Sequence, residues 1–277
     1  MKDNFIFVAR KNTGDFSTIY RDAAYSIFLM RGSGKIIVDF AEYDFSGPTI
    51  FFSSPFQSIQ ILNDHAGTIE VLSFHGDFYC IEFHKKEVAC NGLLFNNIYL
   101  FPHFQLGEAV FSEIAGYFSK IGKVDKQEAF SISVLQAYLQ LVLAICSKEK
   151  NKYLPVETLI RDNLDSFTLF QDLVEKYFLS NKALSFYAAQ LHMAPNTLSK
   201  KIKSRYHKTP AQMIRERVIL EAKKQIHLTR RSIKEIAAAL NFTDEFHFSK
   251  YFKKYTGVSP TQFRKETGIS VVADLYK

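Results

Sequence analysis

The sequence predicts an α+β protein of two domains: a small all-β sandwich or barrel with following helices, then an all-helical C-terminal domain. Three observations predict this. Short apolar runs broken by turn residues fill Tyr25 to Phe83, the apolar period lengthens after Pro102, and the excess positive charge sits in the last part of the chain. With 277 residues, 47% hydrophobic and 23% charged, the chain is long enough for two cores and has a globular composition.

The β region reads as YSIFLM, KIIVDF, TIFFSS, SIQIL, TIEVLSF and FYCIEF, separated by Gly32-Ser33-Gly34, Ser46-Gly47-Pro48, Pro55, Asn63-Asp64 and His75-Gly76-Asp77. Runs of this length, rich in Ile, Val, Phe and Tyr, fit a sandwich or barrel, and no intervening segment is long enough for a βαβ crossover. Leu106, Val110, Ile114 and Phe118 then recur every four residues, and Ile132, Leu135, Leu139, Val142, Leu143 and Cys146 mark a longer helix. Of the 27 Phe, 18 precede Asp165, which suits an aromatic β core and would also suit an apolar effector pocket. A polar stretch ending at Pro155 (KEKNKYLP) suggests a linker. The predicted division is 1–150 for the N-terminal domain, 151–170 for the linker and 171–277 for the C-terminal domain.

Composition also limits function. Residues 1–165 hold 15 Lys and Arg against 19 Asp and Glu, whereas residues 166–277 hold 20 against 9. A net charge of +11 on the C-terminal part points to a polyanion partner for that part only, nucleic acid being the commonest. The five-residue apolar run before Arg10 is too short for a secretory signal. Val134 to Cys146 is too short for a bilayer and contains Gln136 and Gln140, so a soluble cytoplasmic protein without a membrane partner is expected. Cys80, Cys90 and Cys146 show neither disulfide nor zinc spacing, and His65, His75, His84 and His103 are scattered. No metal, no cofactor and no enzymatic activity are expected.

The C-terminal part contains an internal repeat. Leu184, Ala188 and Leu191 match Ile233, Ala237 and Leu240 at an offset of 49. After a one-residue insertion, Leu198, Ser199, Lys200, Ile202, Lys203, Pro210 and Gln212 match Phe248, Ser249, Lys250, Phe252, Lys253, Pro260 and Gln262 at an offset of 50. Each copy reads as helix, tight turn, helix. In the second copy Ser232 and Glu235 form a capping box, Thr243 caps the following helix and Gly257 ends it. Phe248, Tyr251, Phe252 and Tyr255 fall on one helical stripe and face the core, which leaves Glu245, His247, Lys250, Lys253 and Lys254 outward with Phe246 at the margin. Thr209-Pro210 and Ser259-Pro260 start further helices. The helix from Pro210 to about His227 would be about 27 Å long, a strut able to hold two recognition helices near one duplex turn apart.

The stretch IKEIAAALNFTDEFHFSKYFKKYTGVSPTQFRK, Ile233 to Lys265, resembles the second helix-turn-helix signature of the AraC/XylS transcription regulators. The resemblance covers about the last 100 residues. It implies a seven-helix DNA-binding domain behind a cupin-like β-barrel sensor with dimerisation helices. It further implies a cytoplasmic homodimer, an activator working with RNA polymerase, and a small-molecule effector whose binding residues stay unknown. Carried over by motif position, Asn196, Thr197, Ser199 and Lys200 would read bases in the first copy, and Glu245, His247 and Lys250 in the second. Lys203, Lys253 and Lys254 are the phosphate candidates. The first copy departs from the pattern with Ala194 at the cap and His207 where Gly257 stands in the second, so a less firmly set first helix is expected. The competing reading is a cupin-type enzyme or sensor whose basic domain only tethers it to DNA.

Overall fold

In strand β2 (Tyr25–Met30) all six residues are buried, because alternate side chains enter two different cores. Ile27 and Leu29 face one core; Phe28 and Met30 face the other. The computed structural model describes residues 5–63, 67–79, 92–153, 166–270 and 273. These form two units, one comprising residues 1–97 and 102–153, the other 98–101 and 154–277.

The first unit has three layers. Strands β1 (Ile6–Asn12), β2, β5 (Thr49–Ser53), β7 (Thr68–Phe74) and β8 (His103–Gln105) form an antiparallel sheet in the order β1-β7-β2-β5-β8. Strands β3 (Ser33–Val38), β4 (Ala41–Ser46) and β6 (Ile59–Asn63) form a second sheet in the order β4-β3-β6. Phe28, Phe51 and Val71 of the first sheet meet Ile36, Tyr43, Phe45 and Ile61 of the second. On its other face the first sheet carries helices α1 (Glu108–Lys123) and α2 (Ser131–Asn151) through Phe111, Ile114, Phe118, Leu135, Leu139, Val142 and Cys146. Burial of such side chains stabilises by about 1.5–3 kcal/mol each before conformational entropy is subtracted.

The expected cupin-like barrel is corrected in one respect: among the described residues the two sheets share no ladder and no barrel closes. The turn residues explain why. Arg31-Gly32, with Gly32 at φ 115°, Ser46-Gly47-Pro48 and Ser54-Pro55-Phe56 carry the chain from one sheet to the other instead of joining neighbours. YSIFLM and TIEVLSF coincide with β2 and β7. FYCIEF does not begin as a strand, since Phe78 and Tyr79 lie in a turn, and its remainder falls outside the described residues, as do Cys80, Cys90, His65 and His84.

α2 is longer than the apolar run Val134 to Cys146. At 21 residues it is, by length and composition, the one helix among the described residues able to cross a membrane, yet one of its faces packs into the core of this unit.

The second unit is helical: α3 (Ser166–Tyr177), α4 (Leu184–Gln190), α5 (Pro195–Tyr206), α6 (Pro210–Leu228), α7 (Ile233–Ala239), α8 (Glu245–Thr256) and α9 (Pro260–Thr267). α3 begins inside the stretch expected as linker. α6, 19 residues or about 28 Å long, packs against α3, α5, α7, α8 and α9. Its start is set by Thr209, which accepts from the Gln212 amide while the Gln212 side chain returns to the Thr209 amide.

Candidate nucleic-acid interface

The sequence repeat is also a repeat of backbone geometry. His192 and Asn241, 49 residues apart, both take the left-handed conformation, at φ 53° and 57°. In each turn the same hydrogen bonds recur. Met193 donates to Ala188 and Phe242 to Ala237, while His192 donates to Ala189 and Asn241 to Ala238. Past the insertion the match shifts to 50. Leu198, Ile202 and Tyr206 are buried along α5, and Phe248, Phe252 and Thr256 along α8. Two helix-turn-helix units, α4–α5 and α7–α8, are therefore present, each with its second helix anchored by one apolar face.

Anchoring of α8 is strongest at its middle. Phe248 and Phe252 are fully buried; Tyr251 and Tyr255, expected to face the core with them, are half-buried and meet edge-on at 4.9 Å. Burial pushes the Tyr251 hydroxyl up to about 12. The residue closing α8's first turn is Asp244, not Thr243: the Asp244 carboxylate accepts from the His247 amide at 2.7 Å. That bond holds its pKa below the ordinary carboxylate range. Thr243, the inserted residue, instead pairs with the His247 ring at 3.2 Å. Phe242 meets the same ring edge-on at 5.5 Å, so His247 leaves the helix in a fixed orientation.

α5 starts without such help. Ala194 offers no side-chain cap, and His207 ends the helix at φ 58°, where Gly257 ends α8 at φ 84°. Other contacts hold α5's far end. The Gln171 amide donates to the Tyr206 hydroxyl at 2.7 Å, and Phe101 packs edge-on against His207 at 5.2 Å. Tyr99 packs on Tyr206 and donates to Glu175, which also accepts from the buried Arg217 at 2.9 Å. Burial, then the Glu175 carboxylate, raise the Tyr99 hydroxyl far above its usual value. A missing cap at one end is thus accompanied by aromatic and ionic packing at the other.

The outward faces carry the predicted residues. Asn196, Thr197 and Lys200 on α5 and Glu245, His247 and Lys250 on α8 are exposed; Ser199 is half-buried. Lys203, Lys253 and Lys254 are exposed as well. Among the described residues none of these five lysines has an ion pair or hydrogen bond, although Lys254 lies 5.5 Å over the Tyr255 ring. Two other cations of this unit are tied up, Lys208 by Glu216 at 2.6 Å and Arg217 by Glu175 and Glu221. The uncompensated lysines of the two second helices can meet phosphate. One outward residue escapes recognition by type: Phe246, an aromatic that the repeat places opposite Asn196, is 79% exposed.

Comparison with known proteins agrees with this geometry. Residues 187–266 match a family described as "Helix-turn-helix domain". The chain is 25% identical over 105 residues to the raffinose operon transcriptional regulatory protein RafR of Pediococcus pentosaceus, covering 38% of each. It is 24% identical over 156 residues to the arabinose operon regulatory protein of Salmonella typhimurium, 56% of this chain and 53% of that one. The chain thus spans about half or less of the length of these curated relatives. Among solved structures, ToxT from Vibrio cholerae aligns over 95% of this chain and 98% of its own at 17% identity, with a TM-score of 0.41. The C-terminal domain of AraT, a response regulator from Geobacillus stearothermophilus, aligns over 40% and 92% at 27% identity, with a TM-score of 0.36.

Proposed function

Starting from a C-terminal helix-turn-helix domain of the AraC type, we propose that this chain is a sequence-specific DNA-binding transcriptional regulator. The observation that carries the reading is the pair of repeated units with outward faces of unpaired lysines and polar side chains. α5 and α8 enter successive major grooves, with Asn196, Thr197, Ser199, Lys200, Glu245, His247 and Lys250 at base edges. Lys203, Lys253 and Lys254 meet phosphates. The relatives' names, both of operon regulators, support action at a promoter, and activation through RNA polymerase with a small-molecule effector belongs to the same proposal.

The regulator acts as a homodimer. Val134, Ala137, Leu141 and Ala144 recur at spacings of three and four along the exposed side of α2, Val134 43% and Leu141 40% exposed, and Phe130, just before the helix, is 83% exposed. This is the seam of a helix pair. The relatives' names, both of operon regulators, favour this reading over the enzyme alternative.

The decisive test is binding of the full chain to duplexes enriched from a random pool, against nonspecific competitor, at several salt concentrations. Specific duplexes should bind about a thousandfold or more tighter than random ones. Lys253→Ala should lower the salt slope by about one. Equal affinity for random duplex would overturn the proposal.

A further inference from the structure

We propose that Phe246 reads DNA directly, its ring packing on the C5-methyl group of a thymine in the major groove entered by α8. The inference rests on the regulator reading above and adds a base-specific contact to it.

Phe246 is the most exposed large apolar side chain among the described residues of the helical unit, at 79%. Its neighbours all have ring partners. Phe242 packs on Phe248 and Tyr251, Phe248 on Phe252, Phe252 on Phe263, and Tyr251 on Tyr255. Phe246 has no such contact with any described residue. Every other Phe of this segment is buried and both Tyr are half-buried in ring contacts, whereas Phe246 is left in water, so folding of this unit does not account for it.

Its place in the repeat does. At the offset of 50 that aligns Leu198 with Phe248 and Lys200 with Lys250, Phe246 stands where Asn196 stands on α5. Asn196 is exposed one residue into its helix, as Phe246 is one residue into α8. Phe246, Ser249, Lys250 and Lys253 also lie at i, i+3, i+4 and i+7, which is one helix face. The ring therefore sits at the N-terminal end of a face whose other end is cationic, the end a recognition helix presents to base edges.

Chemistry selects the base. A phenyl ring neither donates nor accepts a conventional hydrogen bond, so polar edges of guanine, cytosine and adenine would lose water to it without compensation. Thymine alone presents an apolar group in the major groove. The cationic and acidic side chains around Phe246 argue against an apolar protein groove, which would have to desolvate Glu245 and Lys250 as well.

The test uses the full chain and duplexes enriched from a random pool. Wild type should enrich two separated elements, and Phe246→Ala should lose preference for one thymine in one of them while keeping the other element unchanged. With the enriched duplex as probe, replacing that thymine by deoxyuridine removes only the methyl group. Wild type should bind the uracil duplex about fourfold more weakly, as burial of one methyl implies, and Phe246→Ala should bind both duplexes equally. Thymine preference preserved in Phe246→Ala, or an equal uracil penalty in both proteins, would overturn the assignment while leaving the regulator reading intact. Failure of wild type to enrich any element would overturn both. The retained second element controls for folding, and an apolar partner other than DNA would appear as an unchanged enriched motif.

Discussion

Lys150 presents the sharpest electrostatic conflict among the described residues. Near the end of α2 it is only 5% exposed, and it has no carboxylate partner among them. Its ammonium lies 5.6 Å over the Phe52 ring, one helical turn from the buried Cys146. Burial lowers its pKa to about 7, and burial raises the Cys146 thiol well above its usual value. The two residues pull stability in opposite directions. Between pH 7 and about 8.5 the unfolded chain keeps a proton on Lys150 that the folded chain has lost, so stability rises with pH, by at most about 1.4 kcal/mol per pH unit. Above about 8.5 the unfolded chain also loses the Cys146 proton that the folded chain keeps, and the two slopes cancel. Chemical denaturation should therefore show stability of the first unit climbing from pH 7 to about 8.5 and then levelling. Cys146→Ala should extend the climb toward pH 10; Lys150→Met should abolish it. A flat profile in the native chain would show that Lys150 stays charged when folded.

At the scale of elements, the two recognition helices differ in what holds them. α8 has a carboxylate at its start and glycine at its end; α5 has alanine and a left-handed histidine. Asp244→Ala should lower the melting temperature of the helical unit by a few degrees, whereas Thr243→Ala should change it much less. The Asp244 contribution should also disappear on acidification. Its folded pKa is depressed, so its stabilisation is present above the ordinary carboxylate range and lost as pH falls through the folded value. Circular dichroism melts at pH 7 and pH 3 check both points, and equal melts for the two variants would return the cap to Thr243. From sequence alone Thr and Asp are nearly equivalent caps, and only the backbone dihedrals separate them.

Other elements follow the same logic. β2 is legible because both its faces are buried and its run is almost wholly apolar, and β7 because Ile69, Val71, Leu72 and Phe74 are apolar and buried. β4, AEYDFS, is hidden because Glu42 and Asp44 resemble turn residues, although alternation puts Ala41, Tyr43 and Phe45 into the core between the sheets. β1 opens on the apolar run before Arg10 but continues through Arg10 and Lys11 at a sheet edge, and β8 is only three residues long, so β1's end and the whole of β8 lack a strand's apolar signature. Within the interface, periodicity reveals which side of α8 is buried. Residue type misleads at Phe246, because an aromatic reads as core until its exposure is known.

At the scale of the whole molecule, the exposed seam on α2 makes the proposed dimer testable without DNA. Leu141→Glu would set two carboxylates against each other across the seam and should raise the dimer dissociation constant about a hundredfold or more, measured by sedimentation. The single chain should keep its fold, because Leu141 is exposed in it, so the circular dichroism spectrum of the monomeric variant should match that of the native chain. Unchanged sedimentation would place self-association elsewhere or remove it.

The single residue inserted between the repeats has a consequence for direction. Two copies whose side chains agreed would read the same element twice. Here Asn196 corresponds to Phe246 and Thr197 to His247, and only the second turn carries the extra Thr243. On the proposed reading, one polypeptide can therefore occupy its duplex in one orientation, and the site it recognises has a front and a back.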